Sequence, residues 1–309
     1  MKKFVVGLVS VLTLGLGAQS FAGDQDYLDW AGVKDAQKVT KGNGVTVALL
    51  NTGVNYHLPE FRNRIAKDSE GNYGYDAITG GNDPMDMLEY GLGTQVSSIV
   101  AGNQFGIAPE AKIVPVRVFD ENGGGTLESL AKGVVYAVSR NVNIIEIGGG
   151  PLNLEKAATL CAAMKLAEEK GILLVVPAGN DGSEIREYPS GCGLSSTLVV
   201  AGVDSRGDLT RYSSFGFPAV HIAAPAENIW RISRDGSTQK DGQGTSFSAA
   251  FATATAALVM AAHPEYSAGD VKTAMIRGAM EKDSLRGRVL SNGYLNAAAA
   301  IAADISRPE

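Results

Sequence analysis

The sequence predicts an α/β fold of three layers, α/β/α, around a mainly parallel central sheet. Three observations carry that expectation. β-Rich apolar runs alternate with stretches of helical spacing, the signature of strand–helix–strand repeats. The runs are apolar on successive residues, as in strands covered on both faces. A chain of 309 residues, 45% hydrophobic, has ample material for a large core. No internal repeat or low-complexity linker divides it, so residues 23–309 read as one domain. With 27 basic and 33 acidic residues, the net charge of −6 gives no reason to expect nucleic acid or an anionic membrane surface as partner.

Taken in order, residues 1–22 read as an export signal. Lys2 and Lys3 precede the apolar run Phe4 to Gly17, and Ser20-Phe21-Ala22 is a small-x-small cleavage site. Gly23 follows, so no lipid-bearing cysteine is placed there. Beyond this segment no run reads as long and apolar enough to span a bilayer. Val45 to Leu50 is the first strand and ends at Asn51-Thr-Gly. Within Leu88 to Gly102 a helix starts after a loop, near Gly91-Leu-Gly-Thr. Ile113 to Val118 is a second strand, followed by the glycine-rich Asn122-Gly-Gly-Gly. Thr126 to Arg140 has helical spacing, and Asn143 to Ile147 is a strand running into Gly148-Gly-Gly. Leu154 to Lys170 is an amphipathic helix stopped by Gly171. Ile172 to Val176 is a strand ending at Ala178-Gly-Asn180, and Thr197 to Ala201 and Ala219 to Ala223 are two more. Cys161 and Cys192, in an exported chain, are expected to pair; two buried thiols are the alternative. Functional residues are expected at the strand carboxyl ends.

The stretch Asp241 to Met260 places glycines directly before Thr245, Ser246 and a small-residue helix. Ser246 then sits at a helix N-terminus, where unpaired N–H groups and the helix dipole suit a nucleophile whose product is an oxyanion. The plainer alternative is an N-cap serine.

Four segments, spread over most of residues 23–309, resemble the subtilisin-type serine proteases, the subtilases. Val47 to Gly53 resembles the catalytic-aspartate segment and Leu92-Gly-Thr-Gln-Val-Ser the catalytic-histidine segment. Val176-Pro-Ala-Gly-Asn180 resembles the oxyanion-asparagine segment, and Gly244-Thr-Ser-Phe-Ser-Ala the serine segment. The arm Trp30 to Gly44, within residues 23–44, and the tail from Gly293 also fit. The resemblance implies a subtilisin-like fold, no cofactor, and structural calcium as an option to which no residues are assigned. Asp83 and Asp86 read as solvated loop charges. It implies an extended peptide held between Gly123-Gly124-Gly125 and Gly148-Gly149-Gly150. The first of those edges lies ahead of the Thr126 helix, and the second follows Ile147 where the family has serine-leucine-glycine-glycine.

The catalytic positions depart from the pattern. Asn51 stands at the aspartate position and Leu92 at the histidine position, while Ser246 and Asn180 match the nucleophile and the oxyanion donor. Leucine neither accepts the serine proton nor returns one to a leaving amine. The chain has three histidines, His57, His221 and His263, and the resemblance places none of them, nor Lys240, beside Ser246. Asn180, followed by Asp-Gly, also reads as a turn residue tolerant of positive φ. Only residues 23–44 separate the expected cleavage point from the first strand, so the resemblance implies no folded prosegment. Three functions are carried forward: a peptide-binding pseudoprotease in the periplasm or medium, an active serine endopeptidase with a non-standard base, and a structural envelope-associated protein.

Overall fold

The computed structural model describes residues 26–148, 158–185 and 192–306. The export segment, Gly149, Gly150 and positions 154–157 of the expected helix lie outside them. Helices α1 (Asp26–Trp30) and α2 (Val33–Val39) lead into strand β1 (Thr46–Asn51). After the short β2 (Tyr75–Asp76) come α3 (Leu92–Ala101), β3 (Lys112–Arg117), α4 (Leu127–Ser139), β4 (Ile144–Ile147), α5 (Ala158–Glu169) and β5 (Leu173–Pro177). Strands β6 (Thr197–Val203) and β7 (Ile222–Pro225) are followed by a hairpin of β8 (Arg231–Ile232) and β9 (Thr238–Gln239). Then come α6 (Thr245–Ala262), α7 (Ala268–Arg277), β10 (Met280–Glu281), β11 (Gly293–Tyr294) and α8 (Ala297–Ile301).

Among the described residues nine strands form one sheet, ordered β10-β11-β7-β6-β5-β4-β1-β3-β2, and only the β10–β11 pair is antiparallel. The runs read as continuously apolar are the central strands, because each buries both faces. In β1, Val47 and Leu49 face one helical layer with α3 and α6, whereas Ala48 and Leu50 face α4 and α5. The expected strand at Ala219 to Ala223 begins instead at Ile222, which leaves His221 just ahead of β7. Thr126 starts α4 as expected, its hydroxyl accepting the Ser129 N–H at 3.0 Å.

Helix α6 corrects one sequence reading. Its 18 residues, mean hydropathy 1.5, are long and apolar enough to cross a membrane, but 78% of that span is buried inside the protein. A helix apolar on every side is a core helix when other elements surround it. Here β4 to β7 flank it on the sheet side, and α3, α7 and α8 on the other. Its alanines at 249, 250, 252, 254, 256 and 257 are all buried, and their small volume permits that close packing.

Cys161 of α5 is disulfide-bonded to Cys192. The bond ties the outer helix to the loop entering β6. It closes a loop of sequence separation 31, so the double variant C161S/C192S should lose about 4 kcal/mol in urea unfolding. An unchanged midpoint would remove that role.

Glu146 is the anomaly of the sheet. It lies in β4 between Leu49 of β1 and Val175 of β5, on the face of Ile144 that turns toward α6. Both carboxyl oxygens are buried without a hydrogen-bond partner among the described residues. Burial raises its pKa from 4.5 to about 8. The folded state therefore keeps a proton that the unfolded chain releases at lower pH. Stability is fully present below the unfolded value of 4.5 and declines as pH rises toward about 8. The slope reaches about 1.4 kcal/mol per pH unit. Glu146→Gln, which mimics the protonated form, should flatten that decline and raise the Tm at about pH 9. Parallel pH profiles of the two proteins would contradict this account.

Candidate active site

The residues singled out in the sequence gather at one edge of the sheet. Asn51 ends β1, and Asn180 stands three residues beyond the end of β5, with β4 between those strands. Asn51 is 1% exposed. Its Oδ1 accepts the Thr52 N–H at 2.9 Å, while its Nδ2 is buried with no partner among the described residues. A Cβ added to Gly148 would lie 2.3 Å from that Nδ2, so glycine there makes room for the amide.

The Thr52 hydroxyl accepts the Gly93 N–H at 2.9 Å and fixes the first turn of α3 against the end of β1. A Cβ on Gly93 would lie 2.0 Å from the Gly53 carbonyl oxygen, a contact only glycine allows. Leu92 is thereby held as the first residue of α3, partly buried against the core. Asp86 is not solvated as expected: it is buried, and its Oδ2 accepts the Thr94 N–H at 2.9 Å and the Thr94 hydroxyl at 2.7 Å. Burial raises its pKa against these hydrogen bonds. Asp83 is an exposed loop charge that accepts from the Tyr56 hydroxyl.

Asn180 holds the start of α6. Its Oδ1 accepts the Thr245 N–H at 2.9 Å and the Thr245 hydroxyl at 3.1 Å, and that hydroxyl also accepts the Gly179 N–H at 3.2 Å. Asn180 itself has no positive φ; Gly179 and Gly182 on either side take it, at φ 105 and 64. Ser246 is not an N-cap. Gly244 occupies the cap, with φ 147 and no side-chain cap bond, and Ser246 is the second helical residue. Its hydroxyl is half-buried and has no hydrogen-bond partner among the described residues.

The possible bases make their contacts with groups other than Ser246. His57 is exposed and packs beside Tyr56, ring centroids 4.7 Å apart. His221 Nδ1 accepts the Val199 N–H at 2.9 Å near the opposite end of the sheet. His263 caps the far end of α6, 17 residues from Ser246 and about 25 Å away along the helix. The Lys240 ammonium lies over the Trp230 ring, 5.2 Å from its centroid.

Sequence reasoning missed Arg231. It is 1% exposed; its Nε donates to Gln95 Oε1 at 2.6 Å and one terminal nitrogen donates to the Ile229 carbonyl at 3.0 Å. Its guanidinium carbon lies 4.9 Å from the Phe247 ring centroid, and Asp241, 88% exposed, is 3.5 Å away. A Cβ on Gly242 would lie 2.3 Å from the guanidinium. Arg231 thus fastens the helix of Leu92 to the turn of Ser246, and sets a permanent positive charge beside them. That charge opposes protonation of any nearby base. A single arginine in a short β-rich run gives no pattern from which this role could be read.

Of the two glycine edges, Gly123-Gly124-Gly125 is an exposed turn. Asp120 closes it: its Oδ1 accepts the Gly124 N–H at 2.8 Å and its own N–H donates to the Gly124 carbonyl at 2.7 Å. Beside it lies a hollow of about 510 Å³ bordered by Ile78, Asp120, Gly125 and Lys132. Gly148 is instead buried at the end of β4, its N–H donating to the Leu50 carbonyl at 2.8 Å. Ile147, expected in the wall of a cleft, buries its side chain in the layer of α4 and α5. The described residues contain no group of three or more His, Cys, Asp or Glu placed to hold a metal ion.

Residues 42–296 match the profile of the Subtilase family, Peptidase_S8. The thermostable alkaline protease of Halalkalibacterium halodurans is 32% identical over 241 residues, a match covering 75% of this chain but 61% of that protein. Thermitase of Thermoactinomyces vulgaris is 29% identical over 273 residues, 86% of this chain and 91% of thermitase. A crystal structure of a cold-adapted subtilisin-like serine proteinase superposes with a TM-score of 0.70 at 26% identity, covering 81% of this chain and 89% of that one. The sheet order, the placement of α6 and these likenesses agree: the chain belongs to the subtilase family and has the subtilisin-like fold.

Proposed function

We propose that this chain is an exported pseudoprotease: a subtilisin-like protein that binds an extended peptide and does not hydrolyse it. One observation carries the reading. The Ser246 hydroxyl stands at the helix start with Leu92, not a proton acceptor, at the position the family gives to its base. Acyl transfer to serine needs a base that takes the hydroxyl proton and then returns it to the leaving amine. In subtilisin itself, the source of the magnitude, loss of the histidine alone costs about 2 × 10⁶ in kcat. Asn51 fits the same reading. At a buried position with no imidazolium to stabilise, an uncharged amide is less costly than a carboxylate.

Binding does not need the triad. Exposed glycine backbone at 123–125 lets a peptide strand approach and pair, and the neighbouring hollow offers room for a side chain. Export rests on the segment 1–22, and periplasm or medium is the expected destination. A second reading, an endopeptidase with a non-standard base, draws support from the hydrogen bonds that hold Asn180 to Thr245, the residue before Ser246.

Two experiments separate the readings. Treated with a fluorophosphonate serine probe, the folded protein should show no adduct at Ser246 in intact mass and peptide mapping. Rapid labelling, abolished by Ser246→Ala, would establish the endopeptidase. In fluorescence anisotropy with an extended peptide library, Ser246→Ala should bind like the parent. Gly124→Val, which crowds Asp120 and the edge, should weaken binding roughly tenfold, about 1.4 kcal/mol. Equal affinity in the two variants would move the interaction to the exterior of the fold.

A further inference from the structure

A second cluster of titratable groups lies near the opposite end of the sheet. Lys272, on α7, is half-buried. Its Nζ is 3.0 Å from His221 Nε2 and 3.0 Å from the Ser195 carbonyl oxygen. His221 is anchored on its other side, where Nδ1 accepts the Val199 N–H at 2.9 Å. The His221 backbone N–H in turn donates to the Val199 carbonyl at 3.0 Å, so the residue is held to the start of β6.

These contacts determine where the protons are. An Nδ1 that accepts from a backbone N–H carries no proton of its own. A neutral imidazole then bears its proton on Nε2, which faces Lys272. An ammonium has three donors and no acceptor, so it cannot receive that N–H. A free amine can: its lone pair accepts from Nε2–H, and one of its own hydrogens goes to the Ser195 carbonyl. The nearby carboxylate, Glu168 of α5, is already engaged. Its Oε1 accepts the Ser195 N–H at 2.7 Å, the Ser195 hydroxyl at 2.9 Å and the Ser196 N–H at 2.9 Å. Asp270, two residues ahead on α7, accepts the Ser267 N–H and hydroxyl at 2.9 and 2.6 Å.

We propose that the His221 contact favours the free amine of Lys272 over its ammonium form, and that Lys272 is a site of covalent modification by small acyl electrophiles, anhydrides and activated esters. The titration of the pair agrees with the hydrogen bonding. Burial lowers Lys272 to about 8, against a smaller upward pull from Glu168, and burial with the nearby Lys272 lowers His221 to about 3. In the reaction the amine lone pair attacks the acyl carbon and a C–N bond forms. The bond from that carbon to the leaving group breaks, and the leaving group departs with the electron pair. The surplus proton on nitrogen passes to water. The amide oxygen so formed is an acceptor that can take over the Nε2–H of His221.

Trace acetylation of the intact protein with acetic anhydride, across about pH 6 to 11 with each lysine mapped by mass spectrometry, tests this. Lys272 should reach half its maximal rate near pH 8. At that pH it should react roughly tenfold faster than an exposed lysine, its larger free-amine fraction outweighing its lower basicity. His221→Asp, which supplies a carboxylate in place of the N–H donor, should abolish that advantage. Long-range ¹H–¹⁵N correlation on the unaltered protein needs no variant to fold. It should show His221 protonated on Nε2 alone down to about pH 4. A Lys272 that titrates with the exposed lysines, or a His221 protonated on Nδ1 at neutral pH, would overturn the proposal.

Discussion

The amide oxygen of Asn180 holds the first turn of α6, and much of the core depends on where that helix begins. The helix is apolar on all sides and has no solvent face to set its rotation. Its register comes from its end. Two hydrogen bonds from Thr245 to Asn180 attach it to the exit of β5, and the wide φ of Gly244 lets the chain turn into it. Once that end is set, the alanines of α6 lie beneath β4 to β7, and Ser246 emerges at the carboxyl edge of the sheet.

The same edge combines a tightly held frame with uncharged side chains. Thr52 ties α3 to β1, and Gly93 presses on Gly53. Leu92 contributes apolar contact to the core, and Asn51 keeps an uncharged amide where burial without a cationic partner would make a carboxylate costly. The unpartnered Nδ2 of Asn51 still costs on the order of 1–3 kcal/mol, and the missing Cβ of Gly148 accommodates it. Arg231 supplies the positive charge of the site, and it serves the joint between α3 and the serine turn.

Buried ionisable groups elsewhere follow the same physics with different outcomes. Arg231 carries a guanidinium, and Gln95, the Ile229 carbonyl and the Phe247 ring engage it. Glu146 has no such partners and keeps its proton. Lys272 has partners, yet the one it faces donates rather than accepts, so its proton is held less tightly than that of an exposed lysine. Burial disfavours charge in every case, and the sense of the available hydrogen bonds decides whether the charge survives.

The sequence by itself determined the α/β layering, the central strands, the strand end at Asn51, and the family segments around Leu92 and Ser246. These are local properties. Continuous apolar runs mark strands covered on both faces, and glycines next to small polar residues mark the turns where strands end. Tertiary structure alone decided the burial of Asp86, the shift of β7 away from His221, the engagement of Asn180 with Thr245, and the roles of Arg231, Glu146 and Lys272. It also decided that α6 is a core helix, since a span of that length and hydropathy looks the same in a membrane and in a protein interior. Each of these depends on partners distant in sequence: Arg231 on Gln95, 136 positions away, and Lys272 on His221, 51 away. Periodicity records which side of an element is apolar, and carries no information about which donor will meet which acceptor across the fold.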